Sequence, residues 1–285
     1  MIAKLVLTLV SPVVALVAAI LGCGGVRWAA NSRRLRTRLA AARLPVEPRR
    51  VDLREVDGLP DPVQRYFRRV LTDGQPLVAA VRLRHRGRFN IGDTVDRWKP
   101  IASDQRVITR RPGFVWDARV RMMPGLTVRV HDAYVAGEGI LQAAVLGLLP
   151  VVDARGTPDL ALGELMRFAA EAVWYPTALL PSQGVRWEGV DARSARATLA
   201  DGPVNVTLLF TFDETGRIDA VRARARGRTV GKEVVPTPWQ GRFWGYVERG
   251  GMQVPRYGEV AWLLPDRAKP YWRGRLTAIA YEFAS

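Results

Sequence analysis

Two histidines, one cysteine and scattered carboxylates are what this 285-residue chain offers for nucleophilic, acid–base or metal chemistry. A lone Cys23 excludes an internal disulfide and a cysteine-based metal site. No HExxH run, His/Cys cluster or acid triplet at ligand spacing is present, so no metal is expected. There is no GxSxG or P-loop, and Gly137-Glu138-Gly139 does not match a dinucleotide fingerprint, so no cofactor is expected. Ser103, Ser182, Ser194 and Ser285 sit on no nucleophile elbow.

The best acid–base candidates are Glu164 and Glu171, seven apart and so on nearly one helix face. Glu171 precedes Trp174 and Tyr175 in "EAVWYP", where aromatics can desolvate a carboxylate and raise its pKa. The blander reading, a hydrogen bond or a pair with one of the many arginines, carries more weight. His85 falls between Leu83 and Gly87 on the apolar face of a strand, as a core or cavity-lining histidine would. His131 falls on a polar face and is expected to be exposed. Asp132 shares a face with Val130 and Tyr134, where a buried Arg–Asp pair would account for it. If the chain is an enzyme, it is a membrane-bound, hydrolase-like one using Glu171 and His85.

The aromatic residues say more. Eight of the nine tryptophans lie beyond residue 90. Most belong to a core, and a concave apolar sheet could use some of them to hold an acyl chain. The candidates for such a lining are Trp116, Trp174, Tyr175, Glu171 and His85. A strand carrying Arg82, Arg84, Arg86 and Arg88 on one face reads as a solvated outer face before it reads as a lipid-phosphate contact. Nucleic acid is not an expected partner, since no motif or interleaved exposed aromatic accompanies the charge.

The elements that must position these residues begin with a membrane signal. Leu5–Val26 is 22 residues without a charge, enough as a helix to cross a bilayer. Residues 1–50 hold nine of the 43 basic residues against a single acid, Glu47. Trp28 follows the apolar run where an interfacial aromatic belongs, and Arg33, Arg34, Arg36 and Arg38 flank an apolar stripe of Leu35, Leu39 and Ala42. This predicts a basic helix on anionic lipid headgroups, with Trp28, Arg33, Arg34, Arg36 and Arg38 as membrane contacts. The positive flank favours a cytoplasmic body. The alternative is a lipoprotein, because Ile20-Leu21-Gly22-Cys23 resembles a lipobox.

Past a Pro/Gly-rich linker at 45–60, "DPVQRYFRRVL" predicts a short amphipathic helix begun by Asp61 and Pro62. A second helix is expected from Thr157 to about Trp174. From residue 79 the hydrophobic period changes to two, and short turns separate successive strands. The apolar run "GILQAAVLGLLPVV" reads equally as a buried strand or a short buried helix. About ten strands and two helices predict an α+β, mainly β fold: a curved antiparallel sheet, half-barrel or barrel-like, with two packed helices. The expected organisation is an anchor at 1–26, a basic helix and linker at 27–58, and one β-rich domain at 59–285.

"LPDPVQRYFRRVL", "PGFVWDARVRM", "EAVWYPTALLP", "GEVAWLLPD" and "PYWRGRLTAIAYEF" together resemble a family of bacterial membrane-tethered proteins known only as a domain of unknown function. The resemblance spans roughly 59–283 and implies no activity or catalytic residue. By architecture alone, the predicted shape is similar to the lipoprotein-carrier half-barrels. The leading expectation is a membrane-anchored protein that binds a lipid or other apolar ligand in a curved sheet. The rivals are the enzyme above and a scaffold for another membrane protein.

Overall fold

The computed structural model describes residues 2–231 and 233–285, with side chains from Gly22 onward apart from Lys232. A 40-residue helix, α1 (Ile2–Ala41), leads into α2 (Asp61–Val70). Six strands follow: β1 (Val78–Asn90), β2 (Trp98–Ile108), β3 (Gly113–Met123), β4 (Leu126–Val135), β5 (Glu138–Val145) and β6 (Leu149–Arg155). Then come α3 (Pro158–Glu171) and seven more strands: β7 (Arg186–Asp191), β8 (Ser194–Asp201), β9 (Val204–Phe212), β10 (Ile218–Val230), β11 (Glu233–Arg249), β12 (Met252–Leu263) and β13 (Ala268–Phe283).

All 13 strands form one antiparallel sheet in the order β6-β5-β4-β3-β2-β1-β13-β12-β11-β10-β9-β8-β7. The chain walks from the centre to one edge through β6, crosses to the other edge, and returns through β13, which pairs with β1. The crossing segment contains α3. A connection between two opposite edges can stay short only if the sheet curls around it, and α3 packs on β3, β4 and β5 from one half and on β9 and β10 from the other. Thr157 caps α3 by accepting from the Leu160 amide, and Pro158 takes its first position.

Three sequence expectations are revised here. The sheet has 13 strands against the expected ten because the pattern hides three. β2 turns Ile101, Ser103, Gln105 and Val107 inward, so its buried face is half polar and its hydrophobic alternation is broken. The apolar run at 139–152 is the β5–β6 hairpin, whose turn places Leu146 and Gly147 at φ 53° and 76° within apolar sequence. The second helix ends at Glu171 and continues as a 3₁₀ turn, Ala172–Trp174. The segment expected to be a linker packs onto the body, with Val46, Val51 and Val56 in the main core.

The described part of α1 lies on the convex face of the sheet. Trp28, Ser32, Leu35 and Leu39 form its buried stripe, and the leucines meet Ile108, Val115, Ala133, Val135 and Ile140. Trp28, expected at a bilayer surface, is therefore buried. Its ring stacks on His131 with centroids 4.0 Å apart, and its Nε1 donates to Asp117 Oδ1 at 3.2 Å. His131, expected to be exposed, is buried because α1 covers the polar face it occupies. Arg36 pairs with Asp104 and Asp117, and Arg38 with Glu138, while Arg33 and Arg34 are exposed. Among the described residues no helix is long and apolar enough to cross a membrane. The expected anchor rests on the side chains of Leu5–Leu21, which lie outside the described residues. Cys23 is an exposed, free thiol within α1.

Candidate functional site

Between α3 and the concave face of the sheet lies a cavity of about 790 Å³. Five tryptophans line it: Trp116 from β3, Trp174 from the 3₁₀ turn, Trp239 from β11, Trp262 from β12 and Trp272 from β13. Phe89, Phe243 and Tyr271 add to the aromatic wall, and Val120, Val130, Leu141 and Val260 to the aliphatic one. Gly274 makes this wall possible. A Cβ there would stand 2.2 Å from the Trp272 ring, which lies across the glycine.

One side of the cavity is charged, and the charges are internally matched. Glu164, Arg167 and Glu171 project from one face of α3. Arg167 pairs with Asp132 of β4, and its Nε donates to Glu171 Oε1 at 2.7 Å. The other oxygen of Glu171 accepts from Gln105 Nε2 at 2.6 Å. The Arg167 guanidinium lies 5.0 Å from the centroid of Phe114 and 4.7 Å from that of Trp116. Arg226 of β10 donates to Glu164 Oε1 at 3.1 Å and covers Trp239.

Burial disfavours the charge on Arg167, but Glu171, Asp132 and Glu164 outweigh it and push its pKa further up. Burial, then the neighbouring Asp132 carboxylate, holds the Glu164 carboxyl well above the usual range. Glu164 Oε2 and Asp132 Oδ1 have no hydrogen-bond partner among the described residues. Two guanidiniums face three carboxyls, and burial disfavours the charge on one of these, Glu164, so the ionic groups of the polar side are paired among themselves.

The sequence candidates divide. Trp116, Trp174 and Glu171 line the cavity. Tyr175 does not: its ring is fully buried on Phe168, and its hydroxyl donates to the Phe168 carbonyl at 2.9 Å. His85 sits one layer behind the wall, against Trp174 and Trp272 with ring centroids 4.8 and 5.6 Å away. Among the described residues neither of its nitrogens has a partner, and burial, then Arg167, lowers its pKa to about 3. His85 and Glu171 are not hydrogen-bonded to each other. The Arg–Asp pair expected for Asp132 is present, with Arg167 as the base. Arg167, Arg226 and Gln105 escaped sequence reading. Arg167 alone left a signal, an arginine between two glutamates on the apolar face of α3.

A second cluster joins serine, histidine and aspartate. Ser32 Oγ lies 2.7 Å from His131 Nε2 and donates to Asp117 Oδ2 at 2.8 Å. A hydrolytic triad needs the carboxylate on the far imidazole nitrogen. Here Asp117 approaches the same Nε2, at 3.8 Å, and Nδ1 faces Asn31 at 3.4 Å. Burial works against the Asp117 charge, yet the nearby His131 imidazole and hydrogen bonds from Ser32 and Trp28 hold its pKa below the ordinary value. With Ser32 and His131 both buried, the cluster fastens α1 to the sheet. Among the described residues, no three His, Cys, Asp or Glu side chains gather as a metal site would require.

Residues 57–281 match a family of unknown function, DUF6920. The chain belongs to that family. The match begins just before α2 and ends two residues short of the end of β13, so the DUF6920 region holds β1 to β12, nearly all of β13, and every residue that lines the cavity. No curated protein matches the sequence. Among solved structures, a LolA superfamily protein from Nitrosomonas europaea is similar at 11% identity and a TM-score of 0.32, over 81% of this chain and 91% of its own. A beta-barrel-like protein of the DUF1849 domain of unknown function from Brucella abortus is similar at 11% identity and a TM-score of 0.20, over 72% of this chain and 99% of its own. At these values neither likeness bears on what this DUF6920 member binds.

Proposed function

We propose that the protein holds an apolar or amphipathic ligand, an acyl-chain lipid above all, in the cavity between α3 and the sheet. The observation that carries this reading is the pairing of a large aromatic and aliphatic lumen with a polar side whose ionic groups are matched to one another. Small-molecule sites occupy roughly 300–1,000 Å³ and are mostly apolar with a few placed polar groups. A volume of about 790 Å³ lined by five tryptophans fits that description. We also propose that the uncharged run Leu5–Val26 anchors the chain in a membrane, with the body on the cytoplasmic side as its basic flank favours.

The hydrolase reading has less support. Both oxygens of Glu171 are occupied by Arg167 and Gln105, and His85 is buried behind the wall and neutral at physiological pH. A purely scaffolding role would leave the lumen without use. Extraction of the purified full chain with organic solvent, followed by mass spectrometry, is expected to recover an acyl lipid at close to one molecule per chain. Recovery of only the bulk lipid mixture in substoichiometric amounts would count against the proposal.

A further inference from the structure

The mouth of the cavity and the departure point of the N-terminal helix share one end of the sheet. Antiparallel alternation puts the turns β1–β2, β3–β4, β5–β6, β10–β11 and β12–β13 at that end. α1 reaches the same end. Its backbone at Gly24 lies so close to the β5–β6 turn that a Cβ would stand 2.4 Å from the Leu146 carbonyl oxygen and 2.7 Å from the Leu148 side chain. The stretch preceding Gly24, from Leu5 to Cys23, carries no charge.

Exposed aliphatic residues collect there. Among the cavity-lining residues Ile91, Val152, Val230 and Val234 face solvent, the last at 53% exposure. Next to the α1 departure point, Leu149 and Val151 are 66% and 62% exposed. These side chains border an opening rather than a core, and a soluble protein gains nothing from gathering them. The charge around them is mainly positive. Arg27, Arg97, Arg121 and Arg267 are exposed at this end, and none is in an ion pair among the described residues. Of the acids nearby, Asp93 is paired with Lys269 and Arg228, and Asp96 accepts from Asn90 and Trp98. All four acids at this end, Asp93, Asp96, Glu233 and Asp266, are exposed, and the last two are in no ion pair among the described residues.

We propose that this rim is a membrane-docking surface that seats on an anionic bilayer, so that ligand passes between bilayer and cavity without crossing water. Aliphatic tips ringed by arginines match the acyl region and the headgroups in turn, and an uncharged segment leaving the body beside the mouth keeps the rim at the bilayer. The idea rests on the reading of the cavity as a lipid site and adds the direction from which it is loaded.

The test uses the full chain with Cys23→Ala, carrying single cysteines L149C, V151C, V230C or V234C. Leu44 and Val190, exposed at the opposite end, give the controls L44C and V190C. Each is labelled with a polarity-sensitive fluorophore and reconstituted into phosphatidylcholine/phosphatidylglycerol vesicles containing nitroxide lipids. Rim labels are expected to shift to the blue and be quenched, with the controls unchanged. Rim labels that report water as the controls do overturn the docking surface. In parallel, L149D/V151D, both exposed on the rim and outside the cavity lining, is expected to slow uptake of a fluorescent acyl lipid from vesicles by roughly tenfold. Uptake of the same lipid from detergent should be unaltered. Equal vesicle uptake in variant and parent also overturns docking. Absence of uptake by either route removes the lipid site, and the fluorophore labels then decide docking by themselves.

Discussion

Arg167→Met is expected to cost about 3 kcal/mol of stability, because it strands two largely buried carboxylates, Asp132 and Glu171, 14% and 17% exposed. Asp132 loses its ion-pair partner, and Glu171 keeps only the neutral bond from Gln105. The guanidinium also covers the faces of Phe114 and Trp116, so packing is lost with charge. At about 2–4 °C per kcal/mol for a body of this size, the melting temperature should fall by roughly 10 °C. Thermal unfolding of the full chain in mild detergent, followed by circular dichroism, measures this. The triple variant R167M/D132L/E171L removes all three charges and should recover most of the loss, since an apolar replacement of a buried ion cluster is often neutral. A single-variant loss below about 1 kcal/mol would show that water reaches the cluster and that the polar side of the cavity is not closed.

The second large effect concerns pH. His85 ordinarily titrates at 6.5 and is lowered to about 3 by burial, then by Arg167. Its folded pKa lies below its unfolded one, so the unfolded state binds the extra proton. Stability is whole above pH 6.5 and is lost as pH falls toward 3, at about 1.4 kcal/mol per pH unit. Between pH 7 and 5 the loss from this residue is about 2 kcal/mol. Glu164 acts with the opposite sign, because its raised pKa favours the folded state as pH falls through the same window. The two are separated by comparing variants. His85→Leu should gain about 2 kcal/mol over the parent on going from pH 7 to pH 5. Glu164→Gln should lose its advantage over the same range. Denaturant unfolding at a series of pH values reads both. Parallel curves for the parent and H85L would mean that His85 is hydrated or paired.

Much of the architecture was legible because β-strands announce themselves by period. β1 alternates Val81, Leu83 and His85 against Arg82, Arg84 and Arg86, and α2 follows the spacing of Val63, Tyr66, Phe67 and Val70. β2 did not announce itself, because Ser103 and Gln105 occupy inward positions for a polar purpose: Gln105 holds Glu171. The cavity was half legible. Trp116, Trp174 and Glu171 could be picked out, but Arg226, Trp239 and Trp262 come from strands far along the chain, and only the curl of the sheet around α3 brings them in. The largest misreading concerned α1. A stripe of Trp28, Leu35 and Leu39 beside arginines is amphipathic whether it meets headgroups or protein, and no periodicity tells which. The partners that decide it, Asp117 and His131, lie about a hundred residues away on β3 and β4.

The central claim, an apolar ligand seated against the tryptophan wall, is tested most directly by fluorescence quenching. The full chain in detergent would be titrated with a single-chain amphiphile brominated near the middle of its acyl chain. Since five of the nine tryptophans line the cavity, saturable quenching of roughly half the emission at one amphiphile per chain is expected. The double variant Val130→Phe with Ala154→Phe, which fills the lumen from β4 and β6, should abolish the saturable phase. Quenching that rises linearly without saturation, and equally in parent and variant, would contradict the account.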